Sequence, residues 1–412
     1  MKMKETKLLE LALGVDKPWE VAGVEFDGEK KRLDIYLDFN KGSRFSCPEC
    51  GKLCSVYDTE KKEWRHLNFF QHECYLHART PRTDCEECGV HLVEVPWSRP
   101  QSGFTLLFEA LIMMLSQAMP VKVVSRLIGE TDNRIWRVIE HHVEEARQEL
   151  DLSDVNRVGM DETATKRGHN YVTMFVDMDE KRVIDVEDGK KADVVEKFVS
   201  DFRKHKGITE KVKDVCCDMS PAFIAGVEDN LKAASITFDR FHVMKIINKA
   251  VDDVRKREFK EQAILSKTKY LWLKNQEKLS AGQKATLNRI LSMKNLNLQT
   301  ARAYHIRENF KLFYDIKDSL KAEEHLKTWF WWATHSRINE IRAVAWTIKR
   351  HWGGVLNWYT TRLSNGILEG LNSLFQATKA KARGYRSLNK IRTIIYLLLG
   401  KLNFALPQVL PT

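Results

Sequence analysis

The hydrophobic period changes partway along the chain, and that change restricts the fold more than any other feature. From Thr105 to about Leu150 the pattern is helical, and after Asp154 the period drops to two. Three strands are predicted close together, in NRVGMDET, YVTMFVD and RVIDVE, with turns at KRGHN and MDEK. A helix follows in ADVVEKFVSDFRKHKG, then a strand in VKDVCCD, a helix in SPAFIAGVEDNL and a strand in ASITFD. Strands joined by short turns form an antiparallel meander, whereas strands separated by helices can pair in parallel.

The order βββαβαβ is that of the RNase H-like fold, so the expected class is α/β with such a core. From His242 to about residue 360 the pattern is helical and highly charged, then aromatic. This divides the core into a first part over 153–242, a helical insertion over 243–360 and a second part over 361–412. Six of the eleven tryptophans (Trp329, Trp331, Trp332, Trp346, Trp352 and Trp358) fall within thirty residues of the insertion. Packing between helices is their expected use, and stacking on unpaired bases a secondary one. There is no internal repeat and no long low-complexity linker.

Ahead of the core, residues 1–40 read as a short helix (LLELALGV) and two strands, VAGVEF and RLDIYLDF, joined by DGEKK. Residues 41–95 carry most of the cysteines, and Pro96 and Pro100 mark a boundary. Over 96–152, VKVVSRLIGETDNRIWRVIEHHV gives two amphipathic runs separated by Gly129, with a cap at Thr131 or Asp132. That is helix-turn-helix spacing, although two packed helices without a DNA role share it. Arg134 and Arg137 in the second run are candidate DNA contacts.

The eight cysteines are Cys47, Cys50, Cys54, Cys74, Cys85, Cys88, Cys216 and Cys217. Cys47-x2-Cys50 and Cys85-x2-Cys88 form two knuckles with 34 residues between them (51 to 84). Four thiolates at such spacing suit one structural zinc ion. The spacer is long for a zinc ribbon and implies an insertion in it. Cys54, Cys74, His66, His72, His77 and His91 are spare ligands nearby. Cys216 and Cys217 sit in an apolar strand and read as core.

No apolar run reaches the roughly 18 residues expected of a membrane helix. Ile394 to Leu399 is the longest candidate, and Arg392 and Lys401 flank it. The start, MKMKETKLLELALG, does not read as a signal peptide. The expected location is cytoplasmic and nucleoid-associated, with no membrane partner. The net charge is +11, and its distribution is uneven: residues 341–412 hold eleven Lys or Arg and a single acidic residue, Glu369. Double-stranded DNA is the natural partner of such a segment.

Phosphoryl transfer by two metal ions needs several acidic ligands that converge on ions roughly 3.5–4 Å apart. Oxygen ligands suit Mg2+ or Mn2+. In an RNase H-like sheet the first and fourth strands are neighbours, which brings together Asp161 in the first and Asp218 at the end of the fourth. A third ligand from a later helix has one candidate, Glu369. It lies in a helix expected from near Asn365 to Gly384, with Asn372, Ser373, Gln376, Lys379 and Arg383 on its polar face. Leu368, Leu371 and Phe375 form the apolar side. Adjacent strand residues face opposite ways, so Glu162 competes with Asp161 for one ligand position. Asp177, Asp185 and above all Asp239, which ends the fifth strand, are further competitors.

These segments resemble the DDE transposases of the ISL-three insertion-sequence group over most of the chain. GMDETATKRGHNYVTMFVD is similar to the first block of that family and CCDMSPAF to its second. FDRFHVMKIINKAVDDVRK resembles the block opening the helical insertion, and SNGILEGLN with GYR the third. The resemblance implies Asp161, Asp218 and Glu369 as catalytic ligands of two Mg2+ (or Mn2+) ions, with Asp239 and His242 as accessories at the rim. It implies an amino-terminal zinc module and helix-turn-helix that read the element ends, and a homo-oligomer, at least a dimer on DNA. Further DNA contacts are expected at Asn372, Lys379, Lys381, Arg383 and Arg386. Basic residues are common in the family where this chain has Gln376 and Ala380. The implied activity is strand cleavage at element ends and transfer of the freed 3′-OH. A nuclease that never joins strands, and a DNA-binding regulator without chemistry, are the rival readings.

Overall fold

The computed structural model describes residues 5–165, 171–293, 296–363 and 366–409. The KRGHN turn and the expected helix start at Asn365 lie outside them. Two compact units are present, one of residues 1–146 with 403–412 and one of residues 147–402. Among the described residues no helix is long and apolar enough to cross a membrane.

The first unit begins with α1 (Glu5–Leu13) and the strands β1 (Trp19–Asp27), β2 (Arg32–Phe39), β3 (Arg44–Ser46), β4 (Leu53–Phe69), β5 (His72–Cys85) and β6 (Gly89–Leu92). They make one sheet in the order β1-β2-β5-β4-β3, with β6 on β5. Alternation in RLDIYLDF explains the facing: Leu33, Ile35 and Leu37 are buried, whereas Arg32, Asp34 and Tyr36 are half-buried. Because β2 pairs in parallel with β5, the hairpin of residues 19–39 and the cysteine-bearing segment share one sheet and one core. The insertion expected between the knuckles is the antiparallel pair β4 and β5. Trp97 packs its ring 4.9 Å from Trp19 and 5.6 Å from Trp64.

Three helices follow: α2 (Leu106–Ala118), α3 (Val121–Ile128) and α4 (Asp132–Gln148). Thr105 caps α2, and Gly129 ends α3 with a φ of 75°, a conformation that favours glycine. Ile135, Trp136, Val138, Ile139 and Val143 form the buried face of α4. Glu109 on α2 is fully buried and holds His142 at 2.7 Å, Arg99 at 2.9 Å and Ser102 at 2.6 Å.

The second unit contains β7 (Arg157–Ala164), β8 (Tyr171–Asp177), β9 (Arg182–Asp188), α5 (Asp193–Lys204), β10 (Asp214–Cys217), α6 (Pro221–Asn230), β11 (Ser235–Phe238) and α7 (Arg240–Glu258). The sheet order is β11-β10-β7-β8-β9, antiparallel from β7 to β9 and parallel from β7 to β11. This is the βββαβαβ order that the periodicity predicts. Helices α8 (Lys269–Leu273), α9 (Ala281–Ser292), α10 (Gln299–Phe313), α11 (Ser319–His335), α12 (Asn339–Arg350), α13 (Trp352–Leu356) and α14 (Trp358–Thr361) build the insertion. Its tryptophans divide in use. Trp329 is buried and donates to the Ile306 carbonyl at 2.9 Å, whereas Trp331 and Trp346 are 63% and 53% exposed. The chain returns to the sheet with α15 (Gly366–Lys381) and α16 (Leu388–Leu399).

The apolar run ending at Leu399 is a core helix: Ile391, Ile394, Ile395 and Leu397 are buried. Tyr396 on α16 donates to Asp185 of β9 at 2.9 Å, and the Val186 amide donates to the same oxygen at 2.7 Å. Burial first, then Asp201 and Glu187, push the Asp185 carboxyl up to about 7, against the opposing pull of Arg147. A carboxyl whose folded value is raised favours the fold below its unfolded value near 4, and that contribution is lost as pH rises through about 7. Asp185→Asn removes the titration. The melting temperature of the Asp185→Asn variant minus that of wild type is expected to increase from pH 5 to pH 8. Two curves that stay parallel across this range would show that Asp185 ionises as easily folded as unfolded.

Candidate active site and metal centre

The register of the parallel strands sets three carboxylates in a row. Cys216 of β10 lies opposite Gly159 of β7, so Asp218, two residues on, is level with Asp161. Cys217 lies opposite Phe238 of β11, so Asp239 is level with Asp218. Adjacent strands are about 4.8 Å apart. Each acid also has a local reason for its position. Asp161 accepts from the Glu162 amide at 2.9 Å. Asp218 follows the end of β10 and accepts from the Ser220 amide at 2.9 Å, which turns the chain into α6. Asp239 caps α7, accepting from the amides of Phe241 at 2.9 Å and His242 at 3.2 Å.

Val158 and Met160 point into the main core, which leaves Gly159, Asp161 and Thr163 on the opposite face of β7. Helix α15 covers that face. A Cβ on Gly159 would come within 2.9 Å of Leu368 Cδ1 and 2.4 Å of Met178 Sδ, so these two side chains pack close over the strand there. Farther along β7, the Thr163 hydroxyl donates to Asn372 Oδ1 at 2.5 Å and accepts from Gln376 Nε2 at 2.6 Å. Lys379 and Gln376 donate to the Ala164 carbonyl at 2.6 and 3.0 Å. Asp161 lies between these two anchoring points on the strand, as Glu369 lies between Leu368 and Asn372 on the helix.

Burial raises the Asp161 carboxyl above its ordinary value, and Asp218 and Asp239 add to the rise; His242 and the Glu162 amide oppose it. Glu162 is raised mainly by burial and has Lys190 at 3.9 Å. His242 Nδ1 is 3.6 Å from Asp239. The site therefore concentrates negative charge with one imidazole beside it, a donor set that fits hard divalent cations. Among the described residues, Asp161, Asp218 and Glu369 do not bring their oxygens within 4.8 Å of one another. Glu369 is exposed.

The competing acids are engaged elsewhere. Asp177 accepts from the amides of Asp179 and Glu180 and closes the β8–β9 turn. Asp185 is buried under α16. Burial holds the Cys216 and Cys217 thiols well above the ordinary value, as core residues.

The expected DNA contacts separate into two groups. Asn372 and Lys379 turn inward to β7, so the polar stripe of α15 docks the helix instead of forming an outer surface. Lys381, Arg383 and Arg386 are exposed. Arg134 pairs with Glu130 at 2.6 Å and lies 4.0 Å over the Phe104 ring, whereas Arg137 is exposed. Sequence reasoning missed Gly159 and Thr163. The signal available for Thr163 was an amide at position 376, one helical turn after the amide of Asn372.

In the first unit the sulfurs of Cys47, Cys50, Cys85 and Cys88 all lie within 4.8 Å of one another. Each knuckle turns at a left-handed glycine, Gly51 with φ 74° and Gly89 with φ 85°. Amide donors at Glu87 and Cys88 pull the Cys85 thiol down to about 6, whereas the hydrogen bond with Cys50 pushes the Cys88 thiol up to about 12, so negative charge in the cluster gathers on one sulfur. Cys54 packs beside the four. Cys74 is buried in the sheet core. His66 meets Thr105 at 2.9 Å, His72 packs edge-on to Phe26, and His91 meets the Cys88 carbonyl at 2.6 Å. His77 is 2.6 Å from Asp34, which Arg32 already neutralises.

Residues 158–395 match a family described as transposase, DDE type, of the ISL3 group. Residues 93–143 match the helix-turn-helix domain of transposase family ISL3, and 43–88 the zinc-finger of transposases IS204, IS1001, IS1096 and IS1165. The transposase for insertion sequence element IS1557 of Mycobacterium tuberculosis is 24% identical, over 93% of each chain. That for IS1001 of Bordetella parapertussis is 26% identical, over 93% of this chain and 96% of the relative. The four-cysteine site and the zinc-finger match together support structural zinc. Purified protein is expected to carry about one zinc ion per chain and Cys85→Ser to lose it; folded protein without metal in elemental analysis would contradict this. With the three matches in chain order and the longest spanning more than half of its residues, this chain belongs to the ISL3 family of transposases.

Proposed function

We propose that this transposase cuts DNA at the ends of its element and joins the freed ends to target DNA, with Asp161, Asp218 and Glu369 as its metal ligands. The observation carrying the reading is the parallel register that sets Asp161 beside Asp218, with α15 laid along β7 so that Glu369 follows the Leu368 contact. Two Mg2+ or Mn2+ ions held there would stabilise charge on the attacking and leaving oxygens. Asp239 serves as the cap of α7 and as a source of negative potential. His242, beside Asp239, offsets part of that charge at Asp161.

In cleavage, water attacks the scissile phosphodiester and loses a proton to solvent, the bond to the 3′ oxygen breaks, and that oxygen takes up a proton from solvent to leave a 3′-OH. In transfer, that hydroxyl gives up its proton as it attacks a target phosphodiester and displaces a 3′ oxygen of the target, which is protonated in turn. Lys381 at the end of α15, with Arg383 and Arg386 in the segment after it, is exposed, and the three are suited to hold the phosphate backbone. The zinc module and the helix-turn-helix, through Arg137 among others, read the element ends. Two ends must be held together before joining, so the active species is at least a dimer, working at the nucleoid.

Glu369→Gln keeps the side chain's size and removes the charge that a cation needs. Cleavage of a labelled terminal duplex with Mg2+ should fall by about 100-fold or more, with DNA affinity equal or higher. Asp161→Asn and Asp218→Asn should behave alike, and pairs should add little to either alone. A Glu369→Gln protein that cuts within a few-fold of wild type removes Glu369 from the site. Cleavage without strand joining by the wild-type protein would favour a nuclease. For end recognition, Arg137→Ala should weaken binding to terminal DNA without lowering the melting temperature. Unchanged affinity would take α4 out of the contact.

A further inference from the structure

Helix α15 meets β7 in two ways that differ physically. At Gly159 the contact with Leu368 is apolar, and such contacts are non-directional and tolerate sliding. At Thr163 the contact is directional. A single hydroxyl, in a side chain only 1% exposed, donates to Asn372 and accepts from Gln376. Asn372 and Gln376 are one helical turn apart, so both bonds hold in one register and one rotation of α15. The Ala164 carbonyl adds the second amide hydrogen of Gln376 and the Lys379 ammonium. Glu369 precedes Asn372 by three residues, about 4.5 Å along the helix axis.

We propose that Thr163, with Asn372 and Gln376, forms a register latch that positions Glu369 toward Asp161 for cation binding; this rests on the ligand assignment above. The three residues are positioning residues and touch neither DNA nor metal. Their polar faces are turned to β7, which accounts for an amide at 376: its two donors meet the hydroxyl and the carbonyl together, which one ammonium group does not reproduce in the same planar geometry.

Thr163→Val is close to isosteric and deletes both hydroxyl bonds, whereas Thr163→Ser retains them. Full-length, zinc-loaded protein without DNA is titrated with Mn2+, and free Mn2+ is followed by electron paramagnetic resonance. The Mg2+ concentration for half-maximal cleavage of the terminal duplex is measured in parallel, along with DNA affinity and melting temperature. Thr163→Val is expected to weaken Mn2+ binding by about 10-fold or more and to raise the Mg2+ requirement similarly. DNA affinity should stay near wild type, and Thr163→Ser should recover most of the cation affinity. If Thr163→Val fails to fold, Gln376→Met, at a half-buried position, is expected to move both cation readouts the same way. Wild-type Mn2+ affinity in the folded valine variant, or in the methionine variant if valine fails, overturns the latch. Wild-type Mn2+ affinity in Glu369→Gln instead overturns the ligand assignment beneath it.

Discussion

Pairing between β7 and β10 is the constraint on which the second unit depends. A parallel ladder between a strand of the meander and a strand of the α/β half fixes the level of every residue at their carboxyl ends. Slipping that register by one residue would move Asp218 off the level of Asp161 and turn the side chains of β10 to the other face. The buried set along both strands resists such a slip: Val158 and Met160 on β7, Val215 and Cys217 on β10, all in one core with Val194, Phe198 and Phe202 of α5. Hydrophobic burial on one face thus determines where charge accumulates on the other. Burial raises Asp161 first, and the repulsion from Asp218 and Asp239 that adds to the rise is a consequence of that register; it is the kind of charge that a divalent cation would relieve.

Helix α15 brings an element from the far end of the chain to this row. Between them lies an insertion whose Trp272, Tyr304, Phe310 and Trp329 belong to one continuous core with the buried face of the sheet. It joins the sheet again where Gly354 packs on Phe238 and where Thr361 meets Thr237 at 3.1 Å. The insertion is therefore anchored to the outer strand of the parallel half just before α15 begins. A long excursion of the chain ends close to the carboxylates, which is how Glu369, the ligand proposed above, is carried back to the sheet from a basic terminal segment.

The core strands were legible in the sequence because burial on one or both faces of a sheet leaves a two-residue period or an apolar run. Asp161 was separable from Glu162 for the same reason, since alternation gives them different faces. The zinc site was legible because two CxxC knuckles need only a turn each, whatever the hairpin between them does. Asn372 and Lys379 on the polar face of α15 were read as DNA contacts, but the neighbour here is a strand end that offers a hydroxyl and a carbonyl, and Asn372, Gln376 and Lys379 are turned to it. Gly159 carried no signal at all, because its role is set by a helix more than two hundred residues away. Arg134 was read as a DNA contact from its place on α4, and Glu130 and Phe104 hold it.

The most direct test of the ligand assignment is to locate the cations. Crystals of the full chain with a terminal duplex and Mn2+ give anomalous difference density in which each manganese ion stands out from magnesium and water. The ligand assignment predicts two peaks roughly 3.5–4 Å apart, with Asp161, Asp218 and Glu369 the protein carboxylates that hold them. Peaks ligated by Asp161, Asp218 and Asp239, with Glu369 turned to solvent, would contradict it.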